Sequence, residues 1–247
     1  MHIRVSPVRT VFLASLLSLL PSALMATATT RSTANTSAAS HAATNNSVSF
    51  STADFETASR GSIEDNVLGL ALNAASCAVR SGKVNNPRTL TVIDYSRPSS
   101  EKRMWVYDLK TRNLLYEELV AHGQGSGGNV PNAFSNEPET HRTSLGLFAT
   151  DTTYVGKNGY SLRLDGLDAG INDRARERAI VIHGAPYVSQ SFVQANGRLG
   201  RSHGCPAIRP EIAREMIDRI KGRGLVFAYY PDQGLQKSKF LSGGCGA

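Results

Sequence analysis

The sequence predicts a chain that is mostly β with helices attached, an α+β fold. Three observations carry this. First, short runs rich in β-branched and aromatic residues recur, as in Leu90-Thr91-Val92-Ile93-Asp94-Tyr95 and Leu225-Val226-Phe227-Ala228-Tyr229-Tyr230. Runs of that kind, bounded by turn residues, read as strands. Second, helical periodicity is confined to a few stretches that do not alternate regularly with the strands, as a parallel α/β chain would require. Third, 247 residues with 40% hydrophobic and 19% charged content fit one ordinary globular domain with tails.

Taken in order, residues 1–28 read as a secretory signal peptide. His2, Arg4 and Arg9 form a basic start, residues 11–20 an apolar core, and Ala26-Thr27-Ala28 a small-residue cleavage site. The apolar run is short for a bilayer span. The reading is export to the periplasm or cell envelope, with no stable membrane insertion after cleavage; a retained anchor is the competing reading. Residues 29–49, rich in Ser, Thr, Ala and Asn, lack the apolar content to fold and read as a disordered spacer.

Residues 50–232 are expected to hold the folded domain. A helix is predicted over 54–81, because Ile63, Val67, Leu70, Ala71, Ala74 and Ala78 recur near a 3.6 period. Ser62 with Asp65 approximates a capping pair, and Gly82 suits the end. Strands follow at 90–95, 103–108 and 114–121, the last two as a hairpin. His122-Gly123-Gln124-Gly125-Ser126-Gly127-Gly128 lacks the Lys-Ser/Thr ending of a phosphate loop and reads as a loop near the cleft. Further strands are predicted at 160–164 and 179–183, a short helix at 187–195, a helix over 208–221, and a closing strand at 225–230. Residues 233–247 read as a flexible tail.

The net charge of +7 arises from 27 Lys and Arg against 20 Asp and Glu. These cations are scattered, and no basic run with interleaved aromatics appears, which argues against nucleic acid as a partner. Three cysteines are too few for a disulfide scaffold. Cys77 and Cys245 are left to pair or to stay free if Cys205 acts as a thiol. His122 and His141 lie in polar loops and read as surface histidines.

The chemistry concentrates in Arg201-Ser202-His203-Gly204-Cys205-Pro206-Ala207. A thiol is a nucleophile only as thiolate, and an imidazole, a helix N-terminus or backbone N–H groups favour that form. Pro206, followed by the 208–221 helical pattern, predicts Cys205 at or near a helix N-terminus. Upstream, Ala179-Ile180-Val181-Ile182-His183-Gly184 is a buried-strand pattern ending in His-Gly. A nucleophile and its base need only be close in space. Cys205 as a buried structural thiol and His183 as a satisfied core histidine are the plain alternatives. His203 either takes part directly or orients the loop. A zinc site from His183, His203 and Cys205 is disfavoured, since no accompanying metal motif exists; neither a metal nor a cofactor is expected.

The pair Ile182-His183-Gly184 and Ser202-His203-Gly204-Cys205, with Gly159-Tyr160-Ser161-Leu162-Arg163-Leu164 upstream, resembles the YkuD-like murein L,D-transpeptidases. The resemblance runs over roughly residues 89–230. It implies a sandwich- or barrel-like β core and cysteine acyl transfer on peptidoglycan stem peptides. It also implies carbapenem sensitivity. His183 would be the base, the Gly184 carbonyl its orienting group, and backbone N–H groups of Gly204 and Cys205 the oxyanion hole. Ser202, Arg209 and Tyr160 are candidate substrate contacts. Two positions depart from the family pattern: Ala207 stands where Arg or Asn is common, and Ser144 where Pro is usual. An L,D-carboxypeptidase or a hydrolase of wall–protein links is the alternative enzyme, and a non-catalytic wall-binding protein the alternative class.

Overall fold

The computed structural model describes residues 48–242 and residue 245. The expected signal peptide and nearly all of the spacer lie outside the described residues. Eight strands form one sheet: β1 Thr89–Asp94, β2 Met104–Asp108, β3 Leu114–Glu118, β4 Gly146–Gly156, β5 Gly159–Gly166, β6 Val181–Gly184, β7 Ala207–Ile208 and β8 Gly224–Tyr229. Their order is β3-β2-β1-β8-β4-β5-β6-β7. Just beyond β3, Ala121 bridges Ala207 of β7, so the two edges meet and the sheet nearly closes into a barrel. Closure removes the unpaired edges that a flat sheet would expose.

The sheet is mixed. β1 pairs antiparallel with β2 and parallel with β8. Every residue of β1 is buried, which explains its unbroken apolar run. β2 and β3 form the predicted hairpin, with a register shift at Val106/Tyr107. Asp108 shapes its turn by accepting hydrogen bonds from the Lys110 and Thr111 amides at 2.8 and 2.9 Å.

Helix α1 spans Asp65–Arg80 and packs on β1 and β8. It starts later than its periodicity suggested. Residues Thr52–Asp54 and Thr57–Ser59 are 3₁₀ turns instead, and Glu64, not Ser62, precedes the first turn. Ser62 donates to Glu117 across the fold and lies two residues before the cap position. α1 buries Ala71, Ala74, Ala75 and Ala78, and these small side chains allow a close approach to the sheet. α2 spans Gln190–Asn196, with Ser189 capping it through the Phe192 amide. α3 spans Pro210–Ile220 and packs on β6 and β5 through Ala213, Met216, Ile217 and Ile220. That spacing is one helical stripe.

Residues 233–242 are not a loose tail. A short helix, α4 Gln233–Gln236, is followed by a docked segment in which Leu235 and Phe240 are buried. Ser238 donates to the buried Asp168 carboxylate at 2.6 Å. The sequence of this stretch is polar on average, and its few apolar residues had no visible partner. Cys77 of α1 and Cys245 form a disulfide, Cα to Cα 5.3 Å, across 168 positions. In the chain-entropy account a loop that long stabilises by up to about 5 kcal/mol. Replacing both cysteines by Ser should therefore lower the melting temperature by roughly 5–15 °C while the reactivity of Cys205 stays within a few-fold. Thermal unfolding and thiol alkylation of the same preparation check both halves.

Candidate active site

β6 is built from Val181 and Ile182 between antiparallel β5 and parallel β7. His183 sits near its end, 4% exposed, in register with Ser161 and Ala207. Its Nδ1 lies 3.0 Å from the Gly184 carbonyl. A carbonyl oxygen only accepts, so Nδ1 carries the hydrogen and Nε2 holds the lone pair. Burial lowers the pKa of the ring, and the Gly184 carbonyl partly opposes this. A neutral imidazole with a basic Nε2 is thus the resting form. Gly184 itself answers to packing: a Cβ there would lie 3.0 Å from Ala213 Cβ and 3.2 Å from Pro210 Cα of α3.

The thiol loop, residues 201–206, is strapped by its own serine. Ser202 Oγ accepts from the Gly204 amide at 3.1 Å and donates to the Cys205 carbonyl at 2.6 Å. Gly204 has φ +116°, open to glycine but not to other residues, and a Cβ there would stand 2.9 Å from the Arg142 carbonyl. On the other side, Gly123 packs so closely that its Cβ would lie 2.8 Å from Gly204 Cα. The Gln124 amide donates to Ser202 O at 2.7 Å, and the Ser202 amide to His122 O at 3.0 Å. The glycine-rich segment is therefore a fixed wall of the site.

Cys205 is 8% exposed. Its Sγ donates to the Ala179 carbonyl at 3.7 Å. Burial pushes the thiol pKa up, while the Val181 amide and the Arg178 guanidinium pull it down. Among the described residues no hydrogen bond joins Sγ to His183. The two groups nonetheless share one place in the fold. His183 is in register with Ala207, and Cys205 lies two residues before Ala207, one strand repeat upstream. Catalytic hydrogen bonds are often unmade before substrate binds.

Several expectations are corrected here. Cys205 does not stand at a helix N-terminus, because Ala207 and Ile208 pair with His183 and Gly184 as β7 and the helix begins only at Pro210. No helix dipole then acts on the sulfur. The Gly204 amide donates to Ser202 Oγ, so that amide is engaged within the loop and Ser202 straps the turn. Arg209 forms a two-pronged ion pair with Glu118 at 2.8 and 2.7 Å and clamps the strand edges where the barrel closes. Tyr160 donates to Asp218 of α3 at 2.6 Å with Arg214 over its ring. Its neighbour Ser161 is the residue in register with His183, so Tyr160 lies on the opposite sheet face.

His122 is fully buried, not a surface residue. Its Nδ1 accepts from Arg103 Nη2 at 2.8 Å, and burial followed by the Arg103 charge lowers its pKa to about 3. Arg103 is also fully buried and donates to the Val120 and Arg97 carbonyls. His203 is exposed on the rim, stacked on His141 with ring centres 4.2 Å apart and planes at 9°. His141 was expected to be a bland surface residue; it borders the site. Arg178 escaped sequence reasoning altogether, since it sits in a charged connection with no motif around it.

Comparison with known proteins adds the family. A model of the L,D-transpeptidase catalytic domain matches residues 59–229. No curated protein matches. Among solved structures, the chain is similar to an L,D-transpeptidase from Mycobacterium smegmatis, with 14% identity over 59% of this chain and 60% of that one, TM-score 0.37. It is similar to an L,D-transpeptidase from Stackebrandtia nassauensis, with 14% identity over 67% and 68%, TM-score 0.36. The helical cell shape determining protein Pgp2 from Campylobacter jejuni aligns at 9% identity over 65% and 57%, TM-score 0.41. The chain thus spans about 60% of the length of the Mycobacterium smegmatis protein. The family model covers most of this chain and encloses both the strand that carries His183 and the loop that carries Cys205, and the protein belongs to the L,D-transpeptidase catalytic domain family.

Proposed function

We propose that the protein is a peptidoglycan L,D-transpeptidase with Cys205 as nucleophile and His183 as base. The observation that carries this reading is the fixed tautomer of His183. Gly184 O holds Nδ1–H, so the lone pair on Nε2 is available on the strand beside the thiol. Nε2 takes the proton from Sγ. The thiolate adds to the carbonyl of the L-centre residue in a tetrapeptide stem. The peptide C–N bond breaks, a thioester forms, and the departing D-alanine amine takes the proton from His183. The side-chain amine of a second stem then attacks the thioester, loses a proton to His183 and regenerates the thiol.

With the Gly204 amide engaged, the Cys205 amide is the candidate oxyanion donor from this loop. Gly204 contributes the turn that presents the sulfur, and His203 with His141 forms a rim over which a stem peptide passes. Action in the periplasm or cell envelope belongs to the same proposal. Its support is the Cys77–Cys245 disulfide, since such bonds persist in oxidising compartments. Among the described residues no helix is long and apolar enough to cross a membrane. The positive net charge suits an anionic wall polymer.

Incubation of the mature protein with tetrapeptide muropeptides, followed by mass spectrometry, tests the reading. The expected product is a cross-linked dimer that has lost one D-alanine. Loss of D-alanine without dimers would assign the carboxypeptidase instead, and an unchanged muropeptide pool would refute both.

A further inference from the structure

We propose that Arg178 is an electrostatic residue of the active site, favouring the thiolate of Cys205 when His183 takes its proton, in place of a helix dipole. The inference rests on the reading of Cys205 as nucleophile and adds the source of its activation. Arg178 Nη2 lies 3.4 Å from where a Cβ on Gly204 would stand, against the residue that precedes the thiol. The next residue, Ala179, supplies the carbonyl that accepts from Sγ. Ala179 adopts φ +52°, a left-handed conformation uncommon for a residue with a Cβ. One strained turn thus delivers a guanidinium and a carbonyl to opposite ends of the same short segment beside the sulfur.

The charge on Arg178 is not spent elsewhere. Its nitrogens donate to the Ser135 carbonyl at 2.7 Å, the Arg142 carbonyl at 2.6 Å and the Ser144 hydroxyl, all neutral acceptors. Among the described residues no carboxylate lies within ion-pair distance of it. Its neighbours behave differently: Arg174 pairs with Glu137 and Glu177, and Arg176 with Asp151 and Asp165. Ser144 is the residue standing where the family resemblance sets a proline. Proline has no hydroxyl, so this departure supplies one of the three acceptors that fix the guanidinium.

The titratable groups facing the thiol can be named. Tyr95, beyond β1, is buried and kept protonated; Tyr187, before α2, is pushed up to about 12 by burial. His183 on β6 is held neutral by burial. His203 and Arg142 belong to the surrounding loops. Tyr95, Tyr187 and His183 are thus uncharged at neutral pH, and Arg178 is the cation that favours the ionised thiol.

Cys77 and Cys245 are bridged, so alkylation by iodoacetamide reports Cys205 alone. The rate is followed against pH in the mature protein. Arg178→Gln should raise the midpoint by about one pH unit or more, and slow alkylation at pH 7 by roughly tenfold. Arg178→Lys, which keeps the charge without the planar fork, should stay within a few tenths of a unit of wild type. A purely structural role for Arg178 would lower the melting temperature of either variant and leave the midpoint in place. A wild-type midpoint in folded Arg178→Gln overturns the proposal. Should that variant not fold, a midpoint raised in Arg178→Lys by a full unit overturns it equally, since the charge is still there. The titration needs no wall substrate, so a negative muropeptide result and a negative result here are separate failures.

Discussion

Cys205→Ala should give no covalent adduct with a carbapenem in intact-mass measurement, whereas the unaltered protein should gain the mass of one carbapenem. On the proposed mechanism the strained lactam offers an acyl carbon to the same sulfur that would attack a stem peptide. Sγ bonds to that carbon, the lactam C–N bond opens, and the ring nitrogen takes the proton that His183 removed from the thiol. Only one free cysteine exists in the chain, because Cys77 and Cys245 are bridged. A complete loss of adduct therefore reports one atom. The fold should survive the change: the thiol's hydrogen bond is a long one to a carbonyl, and a methyl fits the same small buried space. Truncating so few atoms costs about 1 kcal/mol or less. Turnover of muropeptides should fall by 10³-fold or more, as happens when a covalent nucleophile is removed. An adduct that persists in Cys205→Ala would move the nucleophile elsewhere and end the mechanism given above.

The parts of the site that were legible are those whose residue types are hard to explain otherwise. His183-Gly184 at the end of a β-branched run, and His203-Gly204-Cys205-Pro206, are poor core sequences; the first lies on β6 and the second in the loop that leads into its neighbour β7. Six of the eight barrel strands were legible because β-branched and aromatic residues concentrate in them, whereas β4 Gly146–Gly156 and β7 Ala207–Ile208 were not predicted. What failed was local punctuation with two solutions. Pro206 and Pro210 both satisfy the rule for a first helical position, and only the pairing of Ala207 and Ile208 with β6 decides for Pro210. A two-residue strand has no periodicity to read. His122 looked exposed because its neighbours are glycines. Its burial depends on Arg103, 19 positions away, and no pattern announces a buried Arg–His pair. Arg178 and Arg209 illustrate the same limit from opposite sides. Each is one arginine among many, and only their partners distinguish them: neutral acceptors around the first, the Glu118 carboxylate around the second.

His183→Ala should acylate with carbapenem more slowly by roughly 10²-fold or more, the usual worth of a positioned general base. It should do so without losing the fold, since His183 lies near the end of a short strand and its ring bonds only its neighbour's carbonyl. The pH dependence separates a base from a merely structural ring. Burial, the larger effect, lowers the folded pKa of His183 below its ordinary value, against the opposing Gly184 hydrogen bond. The wild-type rate should therefore hold as pH falls through 6.5 and decline only below it, when Nε2 becomes protonated. In His183→Ala that acid limb should vanish from the acylation profile. The same shift has a signed effect on stability. The unfolded chain binds a proton on His183 at a higher pH than the folded one, so stability is full above about pH 6.5 and is lost as pH falls toward the folded pKa. The variant lacks this contribution. Its urea midpoint should drop less than that of wild type between pH 7 and pH 4.5, although it starts lower at pH 7 because a buried ring has been removed. A slow enzyme that is less acid-sensitive in both rate and stability is the signature of a buried neutral base. Wild-type acylation rates in His183→Ala, or an unchanged acid limb, would assign the proton transfer to another group.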